Sequence, residues 1–245
     1  MPRSFAKIAW YEFVRFVSRA GFTVLCRVRC HGRGWIPMTG GALVLSNHQS
    51  NLDPLLVGFC CDRRLNYLAR ETLFGFAPFR WLINSLDAIP IDREGMGMAG
   101  LKETLRRLKR EEMVLIFPEG TRTVDGEVAP FKPGFSALAK RARVPLVPVA
   151  IEGAFQSWPR KQRLPRMEVI ELQFGEPLWP DEIAQFDDRQ LVVEMQRRIE
   201  ACHQLARKRR QRRCGHELGY CAADLLPRGE PPMGVPSGIG RPAVA

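Results

Sequence analysis

The sequence predicts an α/β domain: a mixed, largely parallel sheet flanked by helices, with an N-terminal amphipathic helical segment ahead of it. Three observations predict this. Short continuous apolar runs recur through the middle of the chain. Stretches of helical periodicity separate them. The loops that follow several of the runs hold a histidine, carboxylates and arginines. Continuous apolar strands alternating with helices are buried on both faces, as in parallel sheets.

The first element expected is a helix over residues 4–28. Phe5, Ile8, Phe13, Phe16, Val17, Ala20 and Val24 recur at three- and four-residue spacing. Arg3, Lys7, Tyr11, Arg15 and Arg19 form a second, slowly drifting stripe. Such a basic amphipathic helix suits a membrane interface, and it also suits packing on its own domain. Strands are then expected at 42–46, 66–69, 88–91, 113–117, 145–151 and 169–174. Helices are expected at 54–61, 71–84, 96–110 and 135–142. In the third of these, Leu101, Leu105 and Leu108 face one side and Lys102, Arg106, Lys109 and Arg110 the other. Residues 181–213 close with a helix that ends in a basic run. Beyond Cys214 the chain is rich in Pro and Gly without periodicity, which predicts a disordered tail.

The 245 residues suffice for one large domain with a packed core. Their net charge of +11 sits at the ends. Residues 1–33 hold seven basic residues and one acidic residue, residues 34–205 hold 22 of each sign, and residues 206–245 hold eight basic and three acidic. The expected organisation follows that division: a basic amphipathic, membrane-associating helical segment at 1–33, a neutral α/β domain at 34–205 and a basic tail at 206–245. A neutral middle argues against a nucleic-acid-binding core. Seven cysteines without framework spacing, and no visible secretory signal, favour a reducing compartment. No run of about 18 apolar residues predicts a spanning helix. Cys214, His216 and Cys221 lack the paired spacing of a zinc site, so no metal is expected.

Two loops carry candidate chemistry. The run at 42–45 ends in Ser46–Asn47–His48–Gln49–Ser50–Asn51–Leu52–Asp53–Pro54. Loops at the carboxyl ends of parallel strands are where α/β sheets place ligands. A neutral imidazole there can accept a proton, and a carboxylate can hold its tautomer. Asp53 before Pro54 also reads as a helix N-cap, with Ser50 as the other candidate cap. The run at 113–117 leads into Pro118–Glu119–Gly120–Thr121–Arg122, where glycine permits a tight turn and arginine suits a phosphate or carboxylate. Arg93, after 89–91, and Lys132 are further cationic candidates.

These residues resemble a known family. Asn47–His48–Gln49–Ser50–Asn51–Leu52–Asp53 is similar to the His-x4-Asp motif of the glycerolipid acyltransferases, typified by 1-acylglycerol-3-phosphate acyltransferases. Phe117–Pro118–Glu119–Gly120–Thr121–Arg122 resembles their Glu-Gly-Thr-Arg motif. Residues 89–93 resemble the motif that ends in a phosphate-binding arginine, and 147–151 the proline-containing fourth motif. The resemblance covers residues 15–180. Arg70 stands where relatives often carry lysine, and Asp87 near a usual glycine.

The resemblance implies acyl transfer from an acyl thioester, carried on coenzyme A or acyl carrier protein, to the hydroxyl of a lysophospholipid. The first acceptor implied is 1-acylglycerol-3-phosphate, giving phosphatidic acid in phospholipid biosynthesis. Another lysolipid, such as a lyso-ornithine lipid, is the alternative within the family. From a different class, the alternative is a non-catalytic lipid- or nucleic-acid-binding protein. In the family reading His48 is the general base and Asp53 orients it. Asn47, Ser50, Arg93, Glu119, Gly120, Thr121, Arg122 and Lys132 contribute to substrate binding. No cofactor is implied beyond the thioester co-substrate. The partners expected are the two substrates, an anionic membrane surface and acyl carrier protein, with no nucleic acid. The expected location is peripheral or monotopic at the cytoplasmic face of the inner membrane.

Overall fold

The computed structural model describes residues 27–70, 89–91, 98–159, 162 and 164–218, together with Trp10, Phe16 and Gly21. These last three are helical; the rest of the expected 4–28 helix up to residue 26 lies outside the described residues, and Arg27, with φ +45°, and Val28 are not helical, so the helix stops short of residue 28. The expected helix at 71–84 also lies outside the described residues.

Among the described residues, seven strands form one sheet: β1 (Arg29–His31), β2 (Ala42–Ser46), β3 (Leu65–Arg70), β4 (Ile89–Ile91), β5 (Met113–Ile116), β6 (Leu146–Glu152) and β7 (Glu171–Phe174). Their spatial order is β1-β7-β6-β2-β5-β3-β4. Every pairing is parallel except β6 with β7. The helices are α1 (Asp53–Cys60), α2 (Met98–Leu108), α3 (Gly134–Ala142), α4 (Ala154–Ser157), α5 (Pro180–Ile183) and α6 (Asp188–Leu218).

The side-chain period of two divides each central strand between two cores. Ala42 and Val44 of β2, Met113 and Leu115 of β5, and Val147, Val149 and Ile151 of β6 face α1, where Leu56, Val57 and Cys60 cover them. Leu43, Leu45, Val114, Ile116 and Ala150 face the other way, against Phe135 and Leu138 of α3 and Leu191, Met195 and Ile199 of α6. Both faces are covered, which is why the strands read as unbroken apolar runs.

Chain order places the site. From β2 the chain passes to β3 on one side of the sheet; from β5, the neighbour of β2, it passes to β6 on the other. Adjacent strands whose connections diverge leave a crevice at their carboxyl ends. The His48 and Glu119 loops both begin there.

Two expectations are corrected. β1 was not anticipated, because Arg29–Cys30–His31 is short and largely polar; it is stabilised by backbone pairing with β7. The closing helix was expected to end at residue 213, inside the basic segment counted from 206, and α6 continues to Leu218. Its basic run does not face outward as a whole. Arg207 bonds Glu127, Arg210 bonds Glu168 and the Val169 carbonyl, and Arg213 bonds Glu171 and the Arg27 carbonyl. Arg209 pairs with Gln173. Lys208 and Arg212 are exposed. Glu171 of β7 and the loop carboxylates Glu127 and Glu168 pair with cations of the helix. No helix among the described residues is long and apolar enough to cross a membrane.

Candidate active site

The strand β2 ends at Ser46, and residues 47–52 turn back before α1 begins at Asp53. The carboxylate of Asp53 does not cap its own helix. Its Oδ2 accepts the backbone N–H groups of Gln49 at 2.6 Å and Ser50 at 2.7 Å, and His48 Nδ1 lies 2.8 Å away. An oxygen that already receives two N–H donors acts as acceptor, so Nδ1 carries the imidazole proton and Nε2 keeps its lone pair. Asp53 is fully buried, whereas the His48 side chain is 20% exposed. A buried acceptor thus fixes a ring that remains reachable. Phe117 stacks on the same ring, with centroids 4.0 Å apart and planes 19° from parallel.

The loop after β5 clasps this histidine from the other side. Glu119 Oε1 accepts the His48 N–H at 2.9 Å, and the Thr123 N–H bonds the His48 carbonyl at 2.7 Å. Glu119 also accepts the backbone N–H of Ala129. Burial pushes its carboxyl up to about 8, against the lowering effect of these two backbone bonds; the nearby Asp53 charge raises it further. Gly120 has φ +72° and sits on this turn, in the left-handed region that favours glycine. A Cβ there would lie 2.9 Å from Lys132 Nζ, so the lysine lies across the glycine.

Several expected binding residues have other duties. Asn47 is buried, and its carboxamide bonds both the carbonyl and the N–H of Ile151, at 2.9 and 2.8 Å. It therefore ties the end of β2 to β6 from a buried position. Ser50 is buried as well; its hydroxyl donates to the Trp158 carbonyl at 3.1 Å and accepts the Leu52 N–H at 3.3 Å. Glu119 is turned inward onto the His48 backbone, as a buttress between the loops. Thr121 is exposed, Arg122 half-buried and Lys132 exposed, all on the turn region around Gly120. Arg93 lies outside the described residues.

Sequence reasoning missed three contributors. Gln49 donates its side-chain amide to the Gly126 carbonyl at 2.8 Å, linking the two loops again. Phe117 and Thr123 lay inside or beside a motif but carried no chemical signal of their own. Each acts through geometry that only the convergence of β2 and β5 creates.

A pre-oriented imidazole, buttressed by backbone hydrogen bonds beside a turn bearing cations, can remove a proton from a hydroxyl while an anionic group is held nearby. The acyltransferase family model matches residues 27–152. The chain is 28% identical over 186 residues to 1-acyl-sn-glycerol-3-phosphate acyltransferase of Bacillus subtilis, covering 76% of this chain and 90% of that one. It is 31% identical over 199 residues to the protein of the same name from Pseudomonas aeruginosa, covering 78% and 72%. The crystal structure of the 1-acyl-sn-glycerophosphate acyltransferase PlsC from Thermotoga maritima superposes with a TM-score of 0.68 at 27% identity, over 80% of this chain and 79% of that one. The chain belongs to the acyltransferase family that includes the 1-acyl-sn-glycerol-3-phosphate acyltransferases.

Proposed function

We propose that the chain transfers an acyl group from an acyl thioester to the free hydroxyl of 1-acylglycerol-3-phosphate, giving phosphatidic acid. The observation that carries the mechanism is the 2.8 Å contact of His48 Nδ1 with a fully buried Asp53 that is itself fixed by two backbone N–H groups. With Nδ1 protonated, His48 Nε2 takes the proton of the acceptor hydroxyl. The oxygen attacks the thioester carbonyl and forms a tetrahedral intermediate. Its collapse breaks the C–S bond, and the departing thiolate takes the proton back from Nε2. Asp53 stabilises the transient imidazolium. No covalent acyl-enzyme is needed, because the thioester is already activated. Base catalysis of this kind contributes about 10²–10⁴ in rate.

Arg122 and Lys132 supply positive charge beside the Gly120 turn for the acceptor's phosphate, and Arg93 is assigned to the same task by its motif. The thioester arrives on coenzyme A or acyl carrier protein. The reaction takes place at an anionic membrane surface, on the cytoplasmic face of the inner membrane. The basic stripe of residues 3–19 supports that placement, each basic residue near anionic lipid being worth about 1 kcal/mol. The basic run on α6 contributes less than its charge suggests, because four of its members face carboxylates, an amide and backbone carbonyls of the sheet side.

The test is a panel of lysolipids offered with acyl-CoA and with acyl carrier protein thioesters. Turnover is expected on 1-acylglycerol-3-phosphate and is expected to vanish with His48→Ala. Preference for a phosphate-free acceptor such as lyso-ornithine lipid would replace the substrate assignment and leave the mechanism standing. Full activity of His48→Ala would sink the mechanism.

A further inference from the structure

A second histidine–carboxylate pair lies on the far side of the His48 loop. His203 of α6 places Nε2 2.8 Å from Glu152 Oε2, with side chains 1% and 5% exposed. Glu152 ends β6. Arg207 and Arg210, about one and two turns further along α6, each bring a guanidinium nitrogen to 3.7 Å from the same carboxylate. Burial favours the neutral acid, but the hydrogen bond and charge of His203, with the two arginines, outweigh it and hold Glu152 below its usual range. Glu152 is therefore the acceptor, and the His203 Nε2 proton is committed to it.

Gln49 sits against this pair. Its Nε2 is 3.4 Å from His203 Nε2, a nitrogen with no lone pair left to accept. The amide is oriented instead by donation to the Gly126 carbonyl at 2.8 Å and by the Phe155 N–H, which bonds Oε1 at 3.2 Å. One carboxamide thus meets the turn after β5, the start of α4 and the buried face of α6. Its own backbone N–H is one of the two that fix Asp53.

We propose that Gln49 is a positioning residue for acyl transfer, and that the buried His203–Glu152 pair is the seat against which its carboxamide is held. The inference rests on His48 being the base. Gln49 is bonded to His48 by a peptide link and to Asp53 by its N–H, so a shift of its side chain moves both partners. An error of about 1 Å at a reacting group costs up to ~10²-fold in rate. A pair that merely stabilised α6 would affect melting and leave turnover per folded molecule alone.

The experiment uses the full chain with the best acceptor and donor from the lysolipid panel. Gln49→Ala and His203→Leu are expected to lower kcat about tenfold, with both KM values within about twofold. His203→Gln, whose amide can donate to Glu152 from the same depth, is expected to recover most of that loss. Wild-type kcat in folded Gln49→Ala and His203→Leu overturns the proposal. So does a loss confined to KM, or a His203→Gln variant no better than His203→Leu. If His203→Leu does not fold, Gln49→Ala decides by the same kcat and KM criterion. His48→Ala separates the two levels of inference. An inactive His48→Ala with unimpaired Gln49→Ala removes the brace alone. An active His48→Ala, or a wild type silent on the whole panel, removes the base and the brace together.

Discussion

His48–Asp53 and His203–Glu152 are the same two groups at the same 2.8 Å, built into opposite surroundings. In the first pair the carboxylate is buried at a loop and balanced by backbone N–H groups, and the imidazole remains 20% exposed beside Phe117. In the second the imidazole is 1% exposed and the carboxylate is ringed by two further cations. Backbone dipoles fix a carboxylate without competing for its histidine, so the first ring keeps a usable nitrogen. Arginines and burial neutralise and seal the second. A contact distance therefore does not assign a role. What decides is which nitrogen can still meet a substrate.

The largest effect expected is His48→Ala, with kcat/KM lowered about 10²–10⁴-fold and little change in melting temperature. Steady-state rates beside thermal melts check this. Asp53→Asn comes next: activity should fall at least about 10²-fold, because the amide can no longer stabilise an imidazolium. For the sealed pair the order reverses. Glu152→Ala leaves His203, Arg207 and Arg210 facing a buried gap, and should cost about 3 kcal/mol of stability in denaturant unfolding. Its rate per folded molecule should change far less than that of His48→Ala.

Glu119 buttresses the first pair while sharing the burial of the second. Its folded carboxyl titrates at about 8, above its ordinary 4.5. The folded state therefore binds the proton more tightly than the unfolded chain. This contribution to stability is complete below about 4.5 and is lost as pH rises towards 8. Glu119→Gln should flatten that part of the stability profile, as followed by denaturant midpoints from pH 5 to pH 8. The smallest effect is expected from the outward charges: Lys208→Ala with Arg212→Ala should shift unfolding by under about 0.5 kcal/mol.

Much of the fold was legible in the sequence. The runs at 42–46, 113–117 and 145–151 became the three central strands, because burial on both faces leaves no room for alternation. Strand β1 was not legible, because three residues at a sheet edge are stabilised by pairing more than by their own side chains. The pairing of the basic run was not legible for a related reason. Arginine periodicity on α6 reads as solvated charge until Glu127, Glu168 and Glu171 are known to lie beneath it.

The site divides in the same way. His48 and Asp53 were recognisable from residue type, spacing and position after a strand. Asn47 and Ser50 stood in the same motif and were expected to contribute to substrate binding; both are buried and bond the backbone of Ile151 and Trp158. Polarity identifies a residue that must bond something; it does not say what.

The α/β alternation, the two chemical loops and the uneven charge are all written in the amino-acid sequence. Each of these is local, written in the periodicity or composition of a short segment. Only the tertiary structure decided which polar groups remain available. It brought Glu119 beneath His48 across 71 residues and set His203 against Gln49 across 154. Availability is what remains after every buried donor and acceptor has found a partner, and those partners come from segments distant in the chain.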